Sequence, residues 1–166
     1  MNSTDTRQAL LRLLRHNARM PSTEMAARLE LTREQVDDAI AAMEAEGIIM
    51  GYSAIIDEDK APSNGTVRAI IEVEVQPERD GGFDNVAMAL ARFPEVHAVH
   101  LVSGRYDLRL EVVGQSLQDV ARFVASKLAS QDGVKATATH FILKKYKEAG
   151  VELREEGPYE RLKIVP

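Results

Sequence analysis

"LTREQVDDAIAAMEAEG", Leu31 to Gly47, carries the start and stop signals of a helix inside its own bounds. Thr32 with Gln35 three residues on has capping-box spacing: the hydroxyl takes the N–H of the third helical residue, and the longer side chain reaches back to the cap. Val36, Ile40 and Met43 recur on one helical face, and Gly47 supplies the end. The charges are unusual for a helix meant to meet a polyanion, with one base, Arg33, against five acids, Glu34, Asp37, Asp38, Glu44 and Glu46.

The flanking sequence places this helix third in a set. From Asp5 to His16, "DTRQALLRLLRH" puts Leu10, Leu11, Leu13 and Leu14 on a broad apolar stripe with arginines between, the pattern of an amphipathic helix. "NARMPS" interrupts it, and Ser22 is expected to cap a short second helix that turns Met25, Ala26 and Leu29 inward. "LELT" makes a tight turn into the third helix. Three short helices in about 45 residues with such a turn follow the helix-turn-helix plan. "IIMGYSAIID" then reads as two β-rich runs around Gly51, a small wing, completing a first domain over residues 1–56.

The stretch "DEDKAPSNGT" is polar and holds Pro62, Asn64 and Gly65, so residues 57–66 read as a linker. Beyond it, "VRAIIEVEVQ" sets Val67, Ala69, Ile71, Val73 and Val75 on one face of a strand. "GFDNVAMALARF" supplies a helix ended by Pro94. "VHAVHLVS" and "LRLEVVG" are strands joined by "GRYD". "SLQDVARFVASKLAS" is a second helix with Ser116 and Asp119 in capping-box positions, and "KATATHFILKKYK" a fourth strand. The order βαββαβ over residues 67–148 is the ferredoxin-like plan, so the fold class is α+β: a winged helix-turn-helix followed by a ferredoxin-like domain. Apolar residues left over on both sheet faces point to a dimer made by sheet packing. In the extension 149–166, Gly157 and Pro158 between two alternating runs suggest a terminal hairpin.

Composition limits the function. The 166 residues are 45% hydrophobic, enough for a real core, and lack the basic-then-apolar start of an exported chain and any apolar run of membrane-spanning length, so a cytoplasmic protein without membrane contact is expected. Without cysteine there is no disulfide, thiolate metal site or thiol nucleophile. The net charge is −5, of which residues 1–61 contribute −4 from seven basic and eleven acidic residues, while residues 62–150 balance at eleven of each. Such a balance argues against strong DNA affinity by an isolated subunit, although Arg7, Arg12, Arg15, Arg19, Arg28 and Arg33 all precede the acidic stretch of the third helix.

Five stretches in order resemble the Lrp/AsnC family of bacterial and archaeal transcription regulators: "NAR" after the first helix, "EMAARL" and "ELT" at the second helix and turn, "MEAEGIIMGYSAIID" from reading helix through wing, and "VHLVSGRYDLRLEV" around the loop. The resemblance covers residues 1 to about 148. It implies homodimers formed through the ferredoxin-like domain, assembling to tetramers or octamers, with double-stranded DNA as one partner and an amino acid or small metabolite, bound between dimers, as another. No cofactor or metal is implied. The chain departs from the family pattern where Ala39 and Ala42 replace basic residues of the reading helix, and where Glu30 stands at a position commonly glycine.

Arg33 and Gln35 at the helix start, beside Thr32, are the candidate base readers, arginine for guanine and glutamine for adenine, and Arg12, Arg15 and Arg19 the candidate phosphate contacts. In "VSGRYD", backbone N–H groups near Gly104 suit an amino acid's carboxylate and Asp107 its ammonium group. Ser103 adds a hydroxyl, Tyr106 an aromatic ring, and Thr137 and Thr139 project from one side of the last strand. Equally, Gly104 and Asp107 can simply shape a turn. His97 and His100 differ in strand parity and with His140 make no metal triad; no nucleotide or metalloprotease motif is present, so an enzyme is not expected. The reading is therefore a DNA-binding regulator that senses a metabolite. The alternative is an effector-binding oligomeric interaction protein whose acidic helix-turn-helix no longer reads DNA.

Overall fold

The computed structural model describes residues 3–58, 60–61, 65–76 and 82–153. They form two compact units, divided between Ile55 and Ile56.

In the first unit, α1 (Ser3–His16), α2 (Ser22–Leu29) and α3 (Arg33–Ala45) close over Leu10, Met20, Met25, Ala26, Val36 and Met43. The capping box at α3 forms as its spacing predicts: Gln35 N–H donates to Thr32 Oγ1 at 3.2 Å and Thr32 N–H to Gln35 Oε1 at 2.9 Å. The cap expected from Ser22 does not. Pro21 occupies the capping position, and its carbonyl accepts from Glu24 and Met25 N–H, so Ser22 is the first helical residue and its hydroxyl is not needed. Between α2 and α3 the chain turns through Glu30, whose φ of 55° and ψ of 41° are left-handed. That backbone suits the glycine common in relatives, and a side chain there costs about 1–2 kcal/mol. The wing is not formed as paired strands: after Gly47, residues 48–57 run without regular structure, leaving Ile48, Met50, Tyr52, Ile55 and Ile56 exposed. β propensity needs a partner strand, and the described residues of this unit offer none.

The second unit holds β1 (Val67–Val75), α4 (Asp84–Leu90), β2 (Val96–Leu101), β3 (Leu108–Gly114), α5 (Leu117–Phe123), a π-helical turn (Val124–Leu128) and β4 (Val134–Phe141). The sheet order is β2-β3-β1-β4, antiparallel throughout. Period-2 alternation decides its faces. Ala69, Ile71, Val73 and Val75 of β1, with Leu108, Leu110 and Val112 of β3, are buried with Val86, Leu90, Val120 and Phe123 of the helices. Ser116 caps α5, its hydroxyl oxygen accepting Asp119 N–H at 3.1 Å. Asp119's carboxylate takes the Ser116 hydroxyl proton at 2.7 Å rather than a backbone N–H, so the reciprocal half of the box is absent.

The other sheet face keeps some of the apolar residues expected on it but mixes them with charge. Register places Arg68, Ile70, Glu72 and Glu74 of β1 on it, level with Arg109 and Glu111 of β3, His100 of β2 and His140 of β4. Ile70, Val113 opposite Arg68, and Ala98, Ala136 and Ala138 are the apolar residues left on this face, while the other valines and leucines of these strands pair on the helix-covered side. Arg68 bridges Glu111 at 3.1 Å and Glu58, which precedes β1, so the start of this unit is held down on the charged face. The fourth strand ends at Phe141, before "LKKYK", and a short hairpin, β5 (Lys147–Glu148) with β6 (Val151–Glu152), follows. The hairpin expected around Gly157 and Pro158 lies outside the described residues. No helix among the described residues is long and apolar enough to cross a membrane.

Candidate DNA-reading and effector sites

The exposed start of α3 carries both proposed base readers, each already engaged. Gln35 Oε1 accepts the Thr32 N–H of the cap, leaving its amide donors free and one lone pair on the oxygen. Arg33 Nε donates to Asp37 Oδ2 at 3.3 Å, and its terminal nitrogens remain on a side chain that is 72% exposed. Acids elsewhere in the unit use other cations. Arg7 forks onto Glu46 with two bonds of 2.8 Å, fastening α1 to the end of α3, and Arg28 pairs with Glu24. The Glu46 carboxylate, hydrogen-bonded to Arg7, raises that guanidinium further above its usual range. Tyr52 donates its hydroxyl to Glu44 at 2.8 Å, which pushes the phenol pKa up. Arg12, Arg15 and Arg19 are exposed and make no ion pair with the described residues. Ala39 and Ala42 are half-buried, Ala39 against the three-helix core.

The β2–β3 loop is open at its tip. Ser103, Gly104 and Arg105 are exposed, Gly104 has a φ of 152°, and no atom lies within 4 Å of where its Cβ would stand. Its base is tied down. Val102 N–H donates to Asp107 O at 2.9 Å, Asp107 N–H to Val73 O at 3.1 Å, and Val75 N–H to Asp107 Oδ2 at 2.8 Å. Val75 N–H faces the β3 side, where the β1–β3 ladder has ended at Val73 and Leu108, so one carboxylate oxygen satisfies an N–H that the ladder leaves over. Tyr106 is half-buried.

Thr137 and Thr139 sit opposite Val73 and Ile71, on the helix-covered side of the edge strand β4. Within one subunit β1 lies between them and β3, a separation of about 10 Å, so the loop and the threonines are not brought into contact. His100 faces the charged side opposite Arg109, and His140 Nε2 stands 3.7 Å from Glu72. The β2–β3 register slips between Val96 and Ala98, so strand parity no longer fixes the side of His97. Among the described residues no three histidine or acidic side chains converge as metal ligands.

Residues 68–152 match the family model of the Lrp/AsnC ligand binding domain, and residues 3–50 that of a winged helix-turn-helix DNA-binding domain. This chain belongs to the Lrp/AsnC family. It is 40% identical over 166 residues to the helix-turn-helix transcriptional regulator YugG of Bacillus subtilis, covering 100% of both chains. It is also 32% identical to the regulator PH0140 of Pyrococcus horikoshii, covering 81% of this chain and 82% of that one. Among solved Lrp/AsnC folds, MtbAldR superposes with a TM-score of 0.74 at 23% identity, covering 92% of this chain and 98% of that one. A Neisseria meningitidis transcriptional regulator in complex with L-Met gives 0.67 at 24%, covering 86% and 91%. The chain is thus a transcription regulator of the helix-turn-helix type and not an enzyme.

Proposed function

We propose that this Lrp/AsnC regulator binds double-stranded DNA through α3 and the arginines of the first unit, and senses an amino acid or related metabolite at the β2–β3 loop of an oligomerising second domain. The observation carrying the DNA half is the capped, exposed start of α3 together with Arg12, Arg15 and Arg19, which make no ion pair with the described residues. Phosphate contacts need free cations, and these are the ones that no acid of the unit takes. The effector half rests on the exposed Ser103–Arg105 tip, where nothing crowds Gly104. The L-Met complex of the structurally similar Neisseria regulator supports an amino acid as the ligand class. Asp107 enters this site with one oxygen only, since the other serves Val75.

Thr137 and Thr139 join the loop only across a subunit boundary, which fits a ligand held between dimers. The sheet face with Arg68 and Arg109 against Glu72, Glu74 and Glu111 carries both signs and suits packing on a second copy, as homodimers that build tetramers or octamers in the cytoplasm. Ligand acts by favouring one arrangement of dimers and so one spacing of the reading helices.

The second reading keeps the effector domain but makes the first unit an interaction module, on the observation that Arg7, Arg28 and Arg33 each pair with an acid of the unit. Fluorescence anisotropy with the protein's own upstream DNA across a salt series separates the two. A reader gives a specific complex whose log affinity falls with log salt by roughly 0.9 per phosphate contacted, and replacing Arg12, Arg15 and Arg19 by alanine flattens that slope. Absence of any specific complex at low salt would leave the interaction module.

A further inference from the structure

Glu95 Oε2 is a buried side-chain oxygen with no hydrogen-bond donor among the described residues. The same carboxylate accepts Lys127 Nζ on Oε1 at 2.6 Å, and that contact holds its pKa below the usual range, so the orphan oxygen belongs to a charged group. Lys127 comes from the π-helical turn after α5, a wide turn that is rare in proteins and frequent at functional sites. Both residues line a cleft of about 380 Å³ between α5 and the outer end of the β2–β3 hairpin. Buried Val112, Val120 and Phe123 contribute to its lining, Phe123 packing edge-on to Phe93 at 5.5 Å, and Asp119 with Arg122 adds a second ion pair to it.

We propose that this cleft binds a small zwitterion with an apolar body, at a site distinct from the β2–β3 loop. The two lie at opposite ends of the same hairpin, about 20 Å apart along the six residues of β2. An incoming ammonium group replaces Lys127 Nζ at Glu95. The displaced lysine, 44% exposed and on a flexible stem, turns to the ligand's carboxylate, while the apolar body lies along the cleft wall that Val112, Val120 and Phe123 help to line. Each protein charge leaves one partner only to gain another. An amine without a carboxylate would leave Lys127 with water as its only new partner, and a carboxylate without an amine would draw Lys127 away from the part-buried Glu95 carboxylate. An exchangeable internal ion pair beside an apolar lining therefore selects zwitterions over either half.

Methyl-labelled NMR on the full chain tests this with L-leucine, isoamylamine and isovalerate as probes. The expected result is L-leucine-dependent shifts at the Val112 and Val120 methyls, with either half-ligand at least about tenfold weaker. Glu95→Gln weakens the L-leucine shifts at least about tenfold, and Lys127→Met erases the advantage of L-leucine over isoamylamine. The second variant keeps the test decisive if the first fails to fold. Shifts confined to Val102 and Leu108 would assign binding to the loop alone and overturn the cleft. So would silence at Val112 and Val120 up to about 10 mM probe, or an unaltered preference in Lys127→Met.

Discussion

The carboxylate of Asp107 accepts the backbone N–H of Val75 at 2.8 Å, just past the point where the β1–β3 ladder ends at Val73 and Leu108. A group that completes a ladder in this way stabilises the fold before any ligand arrives. Asp107→Ala leaves a part-buried N–H unpaired and is expected to cost about 1–3 kcal/mol in urea unfolding of the ligand-free protein. Asp107→Asn retains an oxygen acceptor and recovers most of it. Unchanged stability in the alanine variant would show that the bond contributes nothing and return Asp107 wholly to effector recognition.

Glu30 holds a left-handed backbone that glycine adopts freely. Relief of about 1–2 kcal/mol of strain outweighs the roughly 0.5–1 kcal/mol of extra chain entropy, so Glu30→Gly should raise stability by a few tenths to about 1 kcal/mol. Thermal unfolding of the isolated substitution checks this, with a lowered midpoint as the contrary result.

Ala39 packs its methyl against the three-helix core from a half-buried position. The stem of an arginine placed there can follow the helix surface outward and restore a cation on the reading helix. If α3 docks on DNA, Ala39→Arg tightens binding and steepens the salt slope by roughly 0.9 for each added phosphate contact. Equal affinity and slope would mean that α3 does not lie along the duplex at that position.

The hydrogen bond from Arg68 depresses the pKa of Glu58, outweighing the opposing effect of burial. A depressed carboxylate contributes stability above its unfolded pKa and loses it as pH falls through the folded one. The gap in denaturant midpoint between the natural protein and Arg68→Gln should therefore be full at neutral pH and shrink as pH drops below the ordinary carboxylate range near about 4. A gap independent of pH would assign the effect to packing of the arginine stem.

How much of this was legible in the residues can be judged from single elements. The capping box of Thr32 and Gln35, the burial of every second residue in β1 and the βαββαβ order all follow from local spacing, and the structure has them. "IIMGYSAIID" has strand composition but finds no partner strand among the described residues, and partnership is a tertiary fact. Ser22 lost its cap to the carbonyl of the preceding proline, which is invisible to a rule that scores side chains. The second sheet face keeps Ile70 and Val113 as its composition suggests, but the charges that surround them are placed by cross-strand register, which no single strand shows. At the effector loop, spacing leaves Asp107 divided between turn and ligand; the strand end that gives it Val75 lies more than thirty residues away in sequence. Nothing in the sequence marked the Glu95 and Lys127 pair, which also needs 32 residues of chain to fold back.

Gln35 has one side-chain oxygen, and the first turn of its own helix is using it. An adenine contact that recruits this oxygen has only the lone pair the cap leaves over, and one that needs the amide reoriented must first break the cap bond, so base choice and helix fraying are coupled. Conditions that loosen the helix start would then alter which sequences the protein prefers, and by how much, without moving any residue that touches phosphate.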